Sequence, residues 1–521
     1  MGIYLGLDSS TQSLSAVCID TETKSVIYEK SVNFGKDLPE YNSPNGFLEN
    51  SDPLIKHADP IMWVEALDKL FSIMKEEGFN FSEIDAVSGS GQQHGSVYLN
   101  KSFLNKLSWQ GGSLKEIFSP MLSRKTAPIW MDSSTTDECK EIADALGGEK
   151  IVCEKTGSIP IERFTGPQIR KFYKENPDGY NNTAVIHLVS SFMASVLAGK
   201  SVQIDLGDGA GMNLLNLKDA DWDKEIADAT APDLIKKLPA AAPSNTIIPT
   251  GISDYFIDKY GFSPKCQVAL WTGDNPSSLV GLAASKTGTA VISLGTSDTF
   301  MAAFNEPVTD PNGFGHVFGN PDSGFMCLIC FKNGSLAREK VKEEFELSWE
   351  EFDVKSFAET PPGNNGNIML PFYFPEITPK TSCGIVEFTG EKDFTERTNP
   401  YKAVRAIVES QMLNIKLHSS WIGENFSKIK ITGGASKSDT ICQTAADIFQ
   451  IPVERFSVAN SAGLGAALRA AGACTGEKLS DLAESITEAG KDKLFLPDPT
   501  LSTIYKENEQ KFALLLKEKI K

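Results

Sequence analysis

Short apolar runs suited to strands alternate with longer stretches of helical spacing along the chain, which predicts an α/β architecture. Near the N-terminus, Ile3 to Leu7 reads as a strand, Asp8 to Gln12 as a polar turn, and the residues up to about Ile19 as a second strand. The same order returns later, with Ala290 to Leu294 and Thr299 to Ala303 as strands around the small polar turn Gly295 to Ser297. Two such hairpins suggest two similar halves, although strand, small-residue turn and strand is a common pattern that carries little weight alone.

Between the hairpins, helical spacing runs from Ile61 to Glu77 and from Ser134 to Leu146, the latter closed by Gly147 and Gly148 as a C-cap. Ala86 to Ser90 and Val268 to Trp271 read as strands. The mostly apolar, uncharged stretch Ala184 to Gly199 predicts one buried helix, short of the roughly 20 residues needed to span a bilayer. Leu238 to Pro249, rich in Pro and Ala, reads as a surface connection, and the domain boundary is placed near 283, dividing the chain into 1–282 and 283–521. Beyond it, strands at Lys428 to Thr432 and Val453 to Phe456 alternate with helices at Ala403 to His418 and Ala462 to Ala471. The Ala and Gly content of the last helix suits close packing against a sheet.

At 521 residues, of which 41% are hydrophobic and 23% charged, the chain has material for two or three domains with full cores. Its net charge of -18 disfavours nonspecific binding to nucleic acid or an anionic membrane. An anionic ligand must therefore be held by local backbone N–H groups or by a metal. Nine thinly spread cysteines without a secretory signal fit a reducing cytoplasm. Cys327 and Cys330 form a C-x-x-C inside an apolar run, with no second pair at zinc-finger spacing, and read as an inert buried pair.

Several polar turns could carry chemistry. Asp8 ends the first strand and is followed by Ser9, Ser10 and Thr11; such a tip either holds Mg2+ and phosphate oxygens or merely caps its own turn. Gly295 and Thr296 offer a second phosphate nest or an ordinary turn, and Gly433 and Gly434 a strand-to-helix turn that a nucleotide could approach. Neither a Walker A loop nor a Rossmann G-x-G-x-x-G after the first strand is present, so a nucleotide would have to sit between domains. Asp274, at a strand end before Asn275 and Pro276, could accept a proton from a substrate hydroxyl or cap a helix. His94 and Asp132, beside amides, could hold a polyol, as could Arg163, although taken alone His94 suits a structural role and Arg163 a surface ion pair. Trp349 alone suits packing, and the acidic loop holding Asp205 and Asp208 suits a structural turn more than a metal site.

In order, SGSGQQHGSVYLN (88–100), WMDSSTT (130–136), ERFTGPQI (162–169), GDGAGMNLL (207–215), TGDNPSSL (272–279), SLGTSD (293–298), CFKNGS (330–335) and TGGAS (432–436) resemble the FGGY carbohydrate kinases, most nearly the eukaryotic-type xylulose kinases. The likeness covers nearly the whole chain, from Gly6 to about Arg469. It implies two actin-like, ribonuclease H-like domains with ATP and sugar in the cleft between them, and it strengthens the case for duplication. It further implies an N-terminal domain that binds sugar and supplies the base, and a C-terminal domain that binds ATP. Carried over by position, Asp274 is the general base; His94, Arg163, Asp274 and Asn275 hold the sugar, with Asp132 a further contact. Asp8 organises Mg2+ and phosphate beside Ser10 and Thr11, Gly295 and Thr296 face the ATP phosphates, Gly433, Gly434, Ala435 and Ser438 line the adenosine site, and Trp349 flanks it. Where many bacterial members carry a Lys and a Trp, this chain reads Pro167-Gln168-Ile169-Arg170-Lys171-Phe172, which loosens sugar choice inferred from them.

The expected reaction is ATP-dependent phosphorylation of D-xylulose to D-xylulose 5-phosphate by a cytoplasmic monomer or homodimer. Ribulose, glycerol or gluconate are alternative acceptors. An inert sugar sensor would lack the base that Asp274 provides, and an actin-like ATPase switch would carry a peptide-binding domain beyond residue 400, where the chain remains α/β and ends in a charged helix starting near Ser502.

Overall fold

The computed structural model describes residues 2–105, 112–488 and 491–520. Runs of buried apolar residues build two mixed sheets of seven strands each. In the first, β1 (Ile3–Ser9), β2 (Ser13–Asp20) and β3 (Ser25–Asn33) form an antiparallel meander, and β1 also runs parallel to β4 (Ile84–Gly91). At the far edge, β5 (Ile247–Ile248) is antiparallel to β6 (Gln267–Ala269), while β6 and β7 (Thr272–Gly273) run parallel to β4. The helix α1 (Asp274–Gly281) follows β7 directly.

In the second sheet, β8 (Thr289–Leu294) and β9 (Asp298–Phe304) form the second hairpin, and β10 (His316–Gly319) pairs with β11 (Phe325–Phe331), which lies against β9. β8 runs parallel to β12 (Lys428–Thr432) and β12 to β13 (Val453–Phe456), with β14 (Lys491–Phe495) antiparallel at the edge. The meander β1–β2–β3 thus matches β8–β9–β11, the parallel partners β4 and β6 match β12 and β13, and the antiparallel edges β5 and β14 correspond. The likeness of the two hairpins extends to the pairing pattern of both sheets.

A glycine- and alanine-rich helix, α2 (Ser461–Thr475), follows β13 yet packs on β1, β2 and β4 of the first sheet. Close approach is possible because a Cβ on Gly6 would run into Gly463 and Ala467, while α1 and α2 meet where Gly281 lies against the Ser461 carbonyl and Gly465 against that of Ser277. Arg469 extends from α2 through this contact to the carbonyls of Gly89 and Leu270 and is fully buried. Tyr4, Val17 and Ile19 from the first sheet share one apolar cluster with Leu464 and Leu468 from this helix.

Most expected elements occur within a few residues of their predicted limits, including the helices Pro60–Glu76 and Thr136–Ala145, the latter followed by Gly147 and Gly148 with positive φ. Ala184 to Gly199 is not one helix: Val185–Leu188 is a strand paired with Ser96–Leu99, and the helix occupies Val189–Ala198. The β-branched pair Val185 and Ile186 favours the strand. The Ser191 hydroxyl then accepts the Leu188 N–H, which starts the helix. Leu238 to Pro249 is more than a connection, because it contributes β5 and the short strand Ala241–Ala242. Among the described residues no helix is long and apolar enough to cross a membrane. Cys327 is buried in β11, where burial pushes its thiol up to about 12 and keeps it protonated, and neither it nor Cys330 is disulfide-bonded.

Candidate active site

Parallel strands deliver their carboxyl ends to one edge, where open α/β sheets bind ligands. In the first sheet Asp8 pairs in register with Ser90, and Ser90 with Thr272, so Ser9, Gly91 and Gly273 end three strands side by side, Asp8 lies one residue back, and Asp274 opens the helix behind them. Asp8 is buried and accepts a hydrogen bond from the Ser90 hydroxyl at 2.7 Å. Burial, reinforced by the charge of Asp274, pushes its carboxyl up to about 7. Asp274 keeps part of its surface open and accepts from the backbone N–H and side-chain amide of Asn275, at 2.9 and 3.1 Å; burial pushes it up to about 6. Asn275 also donates to the Gln93 side chain at 2.8 Å, which joins the 88–100 segment to the Asp274 turn.

Across from these, His94 sits in the left-handed region at φ 71, a costly conformation for a residue other than glycine. Its Nδ1 donates to the Gly211 carbonyl at 2.7 Å, which leaves Nε2 as an acceptor with no partner among the described residues. Burial and the nearby Arg163 push the ring down to about 3, so it is neutral at physiological pH. Arg163 lies over the Phe164 ring and donates to Nε2 of His316 at 3.1 Å. Together, Nε2 of His94 and the side-chain oxygen of Asn275 offer acceptors and Arg163 offers donors, a set suited to the hydroxyl and carbonyl groups of a small sugar.

Asp132 is placed differently. Its carboxylate is buried and accepts from Lys56 N, from Ser134 N and Oγ, and from the Gln168 amide, with His57 at 3.5 Å. Those partners occupy both oxygens, and the side chain braces the 130–136 loop. Asp205 and Asp208 form the structural turn: Asp205 caps the helix Leu206–Ala210 through the Asp208 N–H and receives the hydroxyls of Ser244 and Thr272.

The carboxyl ends of β8 and β12 frame a cavity of about 580 Å³ lined by Gly295, Thr296, Trp349, Gly434, Ala435 and Ser438 among others. Gly433 has φ 90 and lies so close to Leu294 that a Cβ would clash, whereas Gly434 faces open space. Trp349 is half-exposed, against the edge of Phe352. Ser10 is tied to Ser13, and Thr11 accepts from the Trp130 indole N–H at 2.8 Å.

Several further residues belong here. Asp353 accepts the Ser438 hydroxyl, and nothing in its charged surroundings in the sequence marks it out. Arg338 forms a bidentate pair with Asp298 at 3.0 Å and so braces the turn of the second hairpin; Asp298, the acid ending SLGTSD, was the available signal. His316 carries no motif.

Residues 122–281 match the N-terminal domain model of the FGGY family of carbohydrate kinases, and residues 290–474 match its C-terminal domain model. The chain belongs to this family. It is a carbohydrate kinase, with ATP and a sugar as substrates. A xylulose kinase of Rattus norvegicus is 40% identical over 510 residues, covering 96% of this chain and 94% of that protein. Xylulose kinase 2 of Arabidopsis thaliana is 40% identical over 488 residues, covering 90% and 87%. The crystal structure of a xylulose kinase from Rhodospirillum rubrum shares the fold, with a TM-score of 0.83 at 17% identity over 99% of this chain and 98% of that one. Two actin-like domains account for both sheets.

A pH profile tests whether Asp274 is the group that accepts the proton of the sugar hydroxyl. A carboxyl titrating near 6 loses its ability to accept a proton as the pH falls through that value. The kcat/KM for sugar should therefore fall about tenfold per pH unit below about pH 6, measured at saturating ATP.

Proposed function

We propose that this kinase phosphorylates D-xylulose to D-xylulose 5-phosphate. The observation that carries the choice of sugar is the 40% identity to the xylulose kinase of Rattus norvegicus along almost the whole chain. In this reading the chain divides at 282/283. The first domain holds the sugar through His94, Arg163 and Asn275, with Asp132 holding the neighbouring loop. In the second, Gly295 and Thr296 face the phosphates, Gly433, Gly434, Ala435 and Ser438 line the adenosine site, and Trp349 covers its edge.

Asp274 takes the proton of the attacking sugar hydroxyl as its oxygen bonds to the γ-phosphorus, and the bond from that phosphorus to the ADP oxygen breaks. Phosphoryl transfer through a loose transition state asks more for alignment than for a strong base. The Asn275 bonds to Asp274 and Gln93 supply that alignment. Asp8 fits Mg2+: one of its oxygens has no partner among the described residues, and its desolvated carboxylate gains from a cation. Mg2+ commonly uses one or two carboxylates and completes its shell with phosphate oxygens and water, and when bound it would neutralise charge on the phosphates. Ser10 and Thr11 lie next to it on the same turn. Nine unpaired cysteines and no long apolar helix among the described residues support a cytoplasmic assignment.

The test is coupled ADP release with Mg-ATP against D-xylulose, D-ribulose, L-ribulose, glycerol, gluconate and no acceptor. Turnover confined to D-xylulose over a small background is expected, because domain closure on the sugar completes the site. A better rate with another acceptor would replace xylulose as the substrate.

A further inference from the structure

The residues that hold the sugar in the proposed function lie in the first domain, but one of them ends on a side chain from the second. Arg163 donates from Nη2 to Nε2 of His316, which begins β10 at the edge of the second sheet. The chemistry of that contact is fixed. A guanidinium has only donors, so Nε2 must be the unprotonated nitrogen and the proton must sit on Nδ1. Nδ1 in turn lies 3.2 Å from the Ser158 hydroxyl, which accepts its proton.

His316 itself is held on every side. Its ring lies 5.4 Å from that of Phe164 and 6.2 Å from that of Phe318, and it is almost wholly buried. The next residue, Val317, donates its N–H to the Gly157 carbonyl at 3.0 Å, so β10 is docked on the first domain at this point. Burial and the charge of Arg163 keep the imidazole neutral, the only state in which Nε2 can accept.

We infer that His316 is a positioning residue for sugar binding: it fixes the Arg163 guanidinium from across the domain boundary, so that sugar affinity depends on the nucleotide-binding half of the molecule. This rests on the reading of Arg163 as a sugar-holding residue. Among the described residues Arg163 has no other hydrogen-bond partner, and without His316 its long side chain would sample several rotamers above Phe164.

The experiment compares the KM for D-xylulose, the KM for ATP and kcat in Arg163→Ala, His316→Phe, His316→Gln and the Arg163→Ala/His316→Phe double variant. Phe keeps the aromatic packing but removes the acceptor, and Gln places an amide oxygen near the position of Nε2. His316→Phe should raise the sugar KM about 10-fold or more, the scale of a lost hydrogen bond to a charged group, with the ATP KM within about twofold of wild type. His316→Gln should return the sugar KM to within about threefold, and the double variant should be no worse than Arg163→Ala.

If Arg163→Ala leaves the sugar KM unchanged, the sugar-site reading fails. If Arg163→Ala raises it but His316→Phe does not, or if the two losses multiply in the double variant, the role given to His316 is wrong while the site stands. Should His316→Phe not fold, His316→Asn replaces it, since its shorter amide reaches the Ser158 end and not Arg163. A sugar KM for Asn equal to or below that for Gln would then overturn the inference.

Discussion

Asp274→Ala is expected to lower phosphoryl transfer to the sugar by about 10² to 10⁴-fold, the usual range for a lost general base, while ATP binding stays nearly intact. The separation follows from placement. Asp274 opens α1 at the edge of the first sheet, whereas the cavity proposed for the nucleotide is lined by residues 294–441, all beyond the proposed domain boundary. Loss of sugar-dependent turnover with an unchanged nucleotide affinity, read by calorimetry, would bear this out; turnover near wild type would remove Asp274 from the chemistry. The milder Asp274→Asn keeps an oxygen able to accept from Asn275, so it isolates proton acceptance from loop geometry. It also makes a stability prediction. The folded-state carboxyl titrates near 6, above the roughly 3.9 of an unfolded Asp, so the native protein binds the proton more tightly. Stability therefore declines as the pH rises through the window from about 4 to 6, and the ionised side chain is a liability above it. Asp274→Asn should accordingly melt higher than wild type at pH 7 and lose most of that advantage at pH 4. A catalytic group that weakens the fold is an expected exchange of stability for function.

Much of this arrangement was legible in the chain because it rests on local pattern. The hairpins around Asp8 and Gly295, the strands at Lys428–Thr432 and Val453–Phe456 and the turn at Gly433 are set by apolar runs and by glycines whose backbones demand them. The misread stretch at Ala184 to Gly199 shows the limit, since a short apolar run has no period that separates a buried strand from a buried helix. Long-range partners were less visible still. Asp132 lies in a motif, yet its carboxylate is taken up by Lys56, Ser134 and Gln168, which are brought to it only by the fold. Asp353 and His316 lie far in sequence from the residues they touch, Ser438 and Arg163, and neither has a local signature. Arg469 would pass for an exposed helix residue, but it is among the largest fully buried side chains.

Gly465→Ala is expected to destabilise the protein by about 3 kcal/mol or more, the upper part of the range for overpacking, and to reduce turnover sharply although the residue touches neither substrate. A Cβ at this position would run into the Ser277 carbonyl of α1, which is backbone and cannot rotate away, so the two helices must separate. The consequence reaches the chemistry because of what each helix carries. α1 begins with Asp274, and α2 lies against Gly6, two residues before Asp8 on β1. Moving α2 away from α1 thus changes the spacing between the proposed base and the proposed metal ligand, and in-line transfer tolerates little misplacement. Gly281→Ala, which would meet the Ser461 carbonyl on the opposite helix, should show the same pair of losses. Gly476→Ala, where a Cβ meets nothing within 4 Å but φ is 73, serves as the control: backbone strain alone should cost about 1 kcal/mol and leave kcat unchanged. Denaturant melts and kcat for the three variants separate the cases, and a Gly465→Ala protein with wild-type turnover would show that the helix contact does not set the spacing of the two carboxylates.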